Sequence, residues 1–253
     1  MSFFNKALAS IGIGNAKVDT RLKESRYRQG DLVEGEIFIQ GGQVEQEIDE
    51  IYLYLVVLYF QEGTQKEYVM EEHRLTEVFK IAPRETKVIP FEFMLPFDTP
   101  VTTGGCPVYL KTGLDISMAV NPDDTDGIEV LPNALVEKVL QLVERVGFQL
   151  VHIDFEFDYF FSRHPFIQRF QFKPTGDLRG TLDKLELMFY IGADYLEIIF
   201  QVDRRATDLM TSLEEALELD KKTFRMTVTG EDIQGGDEEV EKKLSDLIHE
   251  YAG

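Results

Sequence analysis

The chain has 253 residues, 43% of them hydrophobic and 11% aromatic, which is enough for one large domain or two ordinary ones, each with its own core. Its 26 Lys and Arg stand against 46 Asp and Glu, a formal net charge of -20, so a nucleic-acid backbone or an anionic bilayer is repelled at long range. The single cysteine, Cys106, excludes an intramolecular disulfide framework and suits a reducing cytoplasm.

The opening segment, MSFFNKALASIGIG, carries Phe3, Phe4, Ala7, Leu8 and Ile11 at helical spacing ahead of Gly12 and Gly14. A short amphipathic helix over 2–12 is predicted. Its one positive charge, Lys6, lies inside the apolar stretch, so the segment fails as an export signal, and no run elsewhere approaches the ~20 apolar residues of a membrane span.

From Lys17 to Met118 the pattern predicts strands over 17–23, 32–40, 48–61, 66–81, 87–94 and 108–118, separated by turn residues. In VEGEIFI, Val33, Gly35, Ile37 and Ile39 share one face. The run from Ile51 to Phe60 is apolar on both faces, which predicts a central strand. NPDDTDG, residues 121–127, reads as the turn that closes the first domain. It fails as an EF-hand loop, because placing Gly127 at the invariant glycine puts Pro122 at the first ligand position.

The next segment, within 128–147, places Leu135, Val139, Leu142 and Val146 on one helical stripe with Val136, Leu140 and Val143 beside it, and Gly147 ends it. This is the linking helix. A second strand series follows over 148–161, 167–173, 182–191, 195–203 and 223–230, with a brief helix predicted over 208–220. The chain closes on a helix over 237–252 whose stripe is Val240, Leu244, Leu247, Ile248 and Tyr251. Such a stripe needs a partner surface, on its own domain or on a second copy in a homodimer. The predicted architecture is therefore mainly β: an antiparallel β-sandwich over 1–127, a second over 148–232, the linking helix between them and a C-terminal helix.

The chain carries no P-loop, dinucleotide-binding glycine pattern, nucleophile elbow, zincin motif or paired C-x-x-C. The candidate site is His152, Asp154, Glu156 and Asp158, which alternate along one strand face at ~6.5 to 7 Å steps. Neighbours at that spacing can share a cation or act on a basic partner, while a solvated edge strand shows the same pattern. No metal or cofactor is assigned. His164 reads as a turn residue, His73 and His249 as surface residues, and Asp203, Arg204 and Arg205 as an ion-pair cluster at a strand end. Cys106, in TGGCPVYL, has no neighbouring activator and reads as a buried residue at a strand start. No buried charged set can be picked out.

Two segments, YRQGDLVEGEIFIQGG (27–42) and KVIPFEFMLPFDTPVTTGG (87–105), resemble the edges of an arrestin-type sandwich. With MSFFNKALASIGIGNAKVDTRL, QEIDEIYLYL, RFQFKP and LEIIFQVDRR, they make the chain similar from end to end to the bacterial sporulation-control protein family. That resemblance implies two arrestin-like domains and a cytoplasmic regulator without catalytic residues, acting on sporulation or cell-cycle progression. The expected partners are other proteins with basic patches, met by the His152 strand, by an exposed sheet edge, by a groove between the domains or by the terminal stripe of Val240, Leu244, Leu247, Ile248 and Tyr251. Two other readings are open to the sequence: a peripheral membrane adaptor using the Phe3, Phe4, Leu8 and Ile11 face, against which the net charge counts, and a metal-dependent enzyme centred on His152.

Overall fold

In the computed structural model the described residues are 15–61, 63–116, 122–157, 163–192, 194–204 and 221–252; the helices predicted over 2–12 and 208–220 lie outside them. The chain divides into two units, Met1–Leu131 and Pro132–Gly253.

Unit 1 contains β1 (Lys17–Leu22), β2 (Arg26–Arg28), β3 (Leu32–Gln40), β4 (Gln46–Gln61), β5 (Thr64–Arg74), β6 (Phe79–Ile81), β7 (Thr86–Met94), β8 (Val108–Ile116) and β9 (Asp123–Leu131). They form a three-stranded sheet, β1-β3-β7, and a six-stranded sheet, β2-β9-β8-β4-β5 with β6 also on β4. Pairing is antiparallel except between β2 and β9. The alternation read from the sequence sets the core: Val33, Ile37 and Ile39 of β3 and Ile51, Leu53, Leu55 and Val57 of β4 are fully buried. Gly35 is required within that pattern, because a Cβ there would stand 2.6 Å from the Phe91 ring and 2.7 Å from the Arg21 carbonyl oxygen. Gly30, at φ +90, turns the chain into β3.

Two expectations are corrected here. NPDDTDG does not end the domain as a turn: Asp123 to Gly127 pair with β8, and β9 continues to Leu131. The pairing partner outweighs the turn-forming residue types. The segment over 66–81 is two strands, because β5 and β6 pair with different stretches of the long β4 and the chain bends between them, where the Leu75 amide donates to the Ile51 carbonyl (2.9 Å).

Unit 2 opens with α1 (Ala134–Arg145), inside the predicted linking segment. The Asn133 side chain caps it, accepting from the Leu135 and Val136 amides at 2.8 and 3.1 Å, and Gly147 at φ +106 turns the chain out of it. There follow β10 (Phe148–Glu156), β11 (Ile167–Pro174), a 3-10 turn (Gly176–Gly180), β12 (Leu182–Ile191), β13 (Tyr195–Arg204), β14 (Lys221–Thr229), α2 (Gly230–Gln234) and α3 (Asp237–Ala252). Where a second sandwich was expected, the described residues form one five-stranded antiparallel sheet in chain order, β10 to β14. One face carries the core, with Phe172, Leu185, Leu187, Phe200 and Val202 at 0% exposure. The helices pack on this sheet, α1 against β10 and α3 against both β13 and α1. Among the described residues no helix is long and apolar enough to cross a membrane.

Candidate interaction surface

The strand nominated by its alternating carboxylates, β10, is a terminal strand of the unit 2 sheet. Its register against β11 shifts between Leu150 and His152, and this irregularity leaves Val151 49% exposed beside an exposed His152. Bulges of this kind re-aim side chains at sheet edges.

Asp154 is not free. Arg169, directly across on β11, grips it with two parallel bonds, Nε to Oδ1 at 2.9 Å and Nη2 to Oδ2 at 2.8 Å, and Gln171 donates to Oδ2 at 2.8 Å. Burial opposes ionisation of Asp154, but these donors outweigh it and hold the carboxyl below the usual carboxylate range. The network continues across the sheet: Arg169 Nη1 lies 3.5 Å from Glu186 Oε1, Lys184 Nζ lies 3.1 Å from the same oxygen, and Lys184 Nζ lies 3.2 Å from Asp203 Oδ2. Burial disfavours the Lys184 ammonium, yet Glu186 and Asp203 together raise its pKa. Glu186 is 1% exposed at the centre of this partly buried ladder, which the sequence pattern did not disclose. Its signal was present as the i, i+2 pairs Arg169/Gln171 and Lys184/Glu186, but their meeting depends on cross-strand register. Beside the ladder the same face is apolar, with Ile167, Met188 and Ile199 packed together against Tyr190.

The remaining nominated residues divide. The Glu156 side chain and Asp158 lie outside what is described. Val240, Leu244 and Ile248 of α3 are 0–1% exposed within unit 2, Leu247 is half-buried, and the Tyr251 side chain is outside the described part. The terminal stripe thus serves internal packing, which removes its buried members as a contact for a partner or a second copy. Asp237 reinforces it from α3, accepting from Lys138 (2.6 Å) and Arg145 (2.7 Å) of α1.

Two histidines are corrected. His164 is buried, stacked at 6.2 Å on Phe166, and His73 is tucked 4.7 Å from the Phe93 ring and 3.3 Å from Glu71. Cys106 is buried as expected, and burial pushes its thiol up to about 12. Asp203 pairs with Lys184 at the end of β13, while Arg205 lies outside the described residues. Among the described residues no group of three or more His, Cys, Asp and Glu side chains is arranged to hold a metal ion.

Comparison with known proteins places these features. The family model described as SpoOM protein (Spo0M) matches residues 4–206. The sporulation-control protein Spo0M of Bacillus subtilis (strain 168) is 40% identical over 258 residues, covering 100% of both chains. The crystal structure of Spo0M from Bacillus subtilis superposes with a TM-score of 0.83 at 36% identity, over 94% of this chain and 100% of that one. With a family model over most of its length and a full-length relative above 30% identity, the chain belongs to the SpoOM protein family of sporulation-control proteins.

Proposed function

We propose that this chain is a non-enzymatic regulatory protein of the cytoplasm that controls sporulation or cell-cycle progression by binding other proteins. Edge strand β10 carries the reading: Val151 and His152 stand exposed on a bulged terminal strand, where an extended partner segment can add to the sheet. The net charge of -20 favours partners with basic patches and speeds their encounter at low salt. The groups with chemical potential are already engaged. Both Asp154 oxygens are occupied by donors, which opposes a metal at His152, and a thiol with a pKa of about 12 is no nucleophile near neutrality.

The test places a photo-reactive amino acid at Val151 in the full-length chain, expressed in its source cells. The expected result is a reproducible protein adduct at that position that Val151→Lys weakens at least tenfold in a binding assay. Adducts that form equally at an exposed position of unit 1, such as Glu45, would remove β10 as the site.

A further inference from the structure

The outer face of the six-stranded sheet in unit 1 carries an apolar row along β4. β4 is central in that sheet, and its outward residues are Tyr52, Tyr54, Val56, Leu58 and Phe60; Phe60 is exposed, Tyr52, Tyr54 and Leu58 are half-buried, and Val56 between them is 1% exposed. The eight residue-to-residue steps from Tyr52 to Phe60 make the row about 27 Å long. Phe60 is 52% exposed and Val69, across from Val56 on β5, is 48% exposed, so this face departs from the polar outer face of an ordinary sandwich sheet.

Two glycines open slots along the ridge. Gly113 of β8 lies opposite Tyr52, and Gly127 of β9 lies opposite Tyr109. A Cβ built at either would meet nothing within 4 Å, and neither has the positive φ that would demand glycine. The space above them is therefore open surface. Tyr109 itself stands beside Val56 and donates to Glu67 Oε1 at 2.6 Å.

Carboxylates rim the ridge: Glu67 and Glu72 on the β5 side, Asp115 and Asp123 on the β8–β9 side. Lys111 and Arg74 are the cations among them, and they pair with Glu67 and with Glu50. The rings are equally informative. On other parts of unit 1, aromatic rings are covered by the chain's own cations, Phe38 by Arg21 at 3.7 Å and Phe79 by Lys87 at 3.5 Å. Tyr52 and Tyr54 stack on each other at 5.7 Å, and among the described residues no cation lies over either ring. An apolar, aromatic ridge inside a net negative rim is complementary to an apolar stripe flanked by positive charge.

We propose that this face docks a basic amphipathic helix of a partner protein, its apolar stripe on the Tyr52–Phe60 ridge and its Lys and Arg side chains on the carboxylate rim. A sheet face buries its apolar surface well against a helix, and a ridge of this length takes about eighteen helical residues at 1.5 Å each. The inference rests on the partner-binding reading above but not on β10, which belongs to the other unit.

The experiment titrates the full-length protein with an eighteen-residue Leu/Lys amphipathic helical peptide, with its Lys→Glu version and with a Lys/Ser peptide of equal charge as controls. Hydrogen exchange maps the contact. Binding of the Leu/Lys peptide alone is expected, with protection over 50–61, 64–74 and 108–116, and a dissociation constant raised at least tenfold by Gly113→Val and by Glu72→Lys. Gly113→Val fills open space with a strand-favouring residue, so its melting temperature is expected to hold. Equal binding of the Lys/Ser peptide, or affinity unchanged in Gly113→Val, would overturn the proposal. So would flotation of the wild type, but not Gly113→Val, with phosphatidylglycerol vesicles, which would make the face a lipid site. A dimer in light scattering that Gly113→Val dissociates would give it to a second copy. Val151→Lys is expected to leave peptide binding intact, so failure here and failure at β10 are distinguishable.

Discussion

Asp126 is the residue whose setting has the clearest consequence for stability. It lies on the inward side of β9, two residues from Asp124, whose Oδ2 accepts from the Thr20 amide at 2.6 Å where β1 meets the other sheet. Burial, and then the charges of Asp124 and Asp19, raise the Asp126 pKa from 3.8 to about 6. A carboxyl whose pKa is raised on folding favours the folded state while protonated and loses that contribution as pH climbs from about 4 through 6. Asp126→Asn is therefore expected to stabilise the protein at pH 8 by about 1 kcal/mol, the full shift being screened by water, and to gain little at pH 4. Urea unfolding at the two pH values checks it. Arg169 acts in the opposite sense: Arg169→Leu removes the cation from Asp154, which keeps only Gln171, and leaves Glu186 to Lys184 alone, and is expected to cost about 3 kcal/mol, read in the same assay. At this scale the sequence was partly legible. The burial of Cys106 could be read directly, whereas the break in the β10 alternation at Val151, the Arg169 grip and the strand character of NPDDTDG depend on which residue lies across the sheet.

Helical elements were the most legible, because a 3.6-residue period needs no knowledge of a distant partner. Gly147 and the stripe of α1 were visible in the sequence, while the Asn133 cap was not read from it. The stripe of α3 was visible too, but its destination was not, since the same spacing serves self-packing and association. Leu244 is fully buried, so Leu244→Ala is expected to cost about 3 kcal/mol in thermal or urea unfolding without changing the oligomeric state. Asn133→Ala removes the acceptor of two amides and is expected to cost about 1 kcal/mol. Strands were legible as runs. Their grouping into one five-stranded sheet in unit 2 was not, because alternation tells which residues share a face and not what covers that face.

For the whole molecule, charge and family stand together. A net charge of -20 spread evenly over residues 1–130 and 131–253 means that encounter with a basic partner should slow as salt rises, the fall following screening at a Debye length of about 8 Å near physiological ionic strength. The order and spacing of plain β segments across the full chain make the family readable in the sequence, although each segment alone is ordinary. The measurement that tests the account most directly is cross-linking of the tagged full-length protein in its source cells, followed by mass spectrometry that identifies both the captured protein and the attached residue. The account predicts one or a few reproducible partners attached at β10, next to Val151 and His152. Capture of only the chain itself, or partners scattered over its surface without preference, would contradict it.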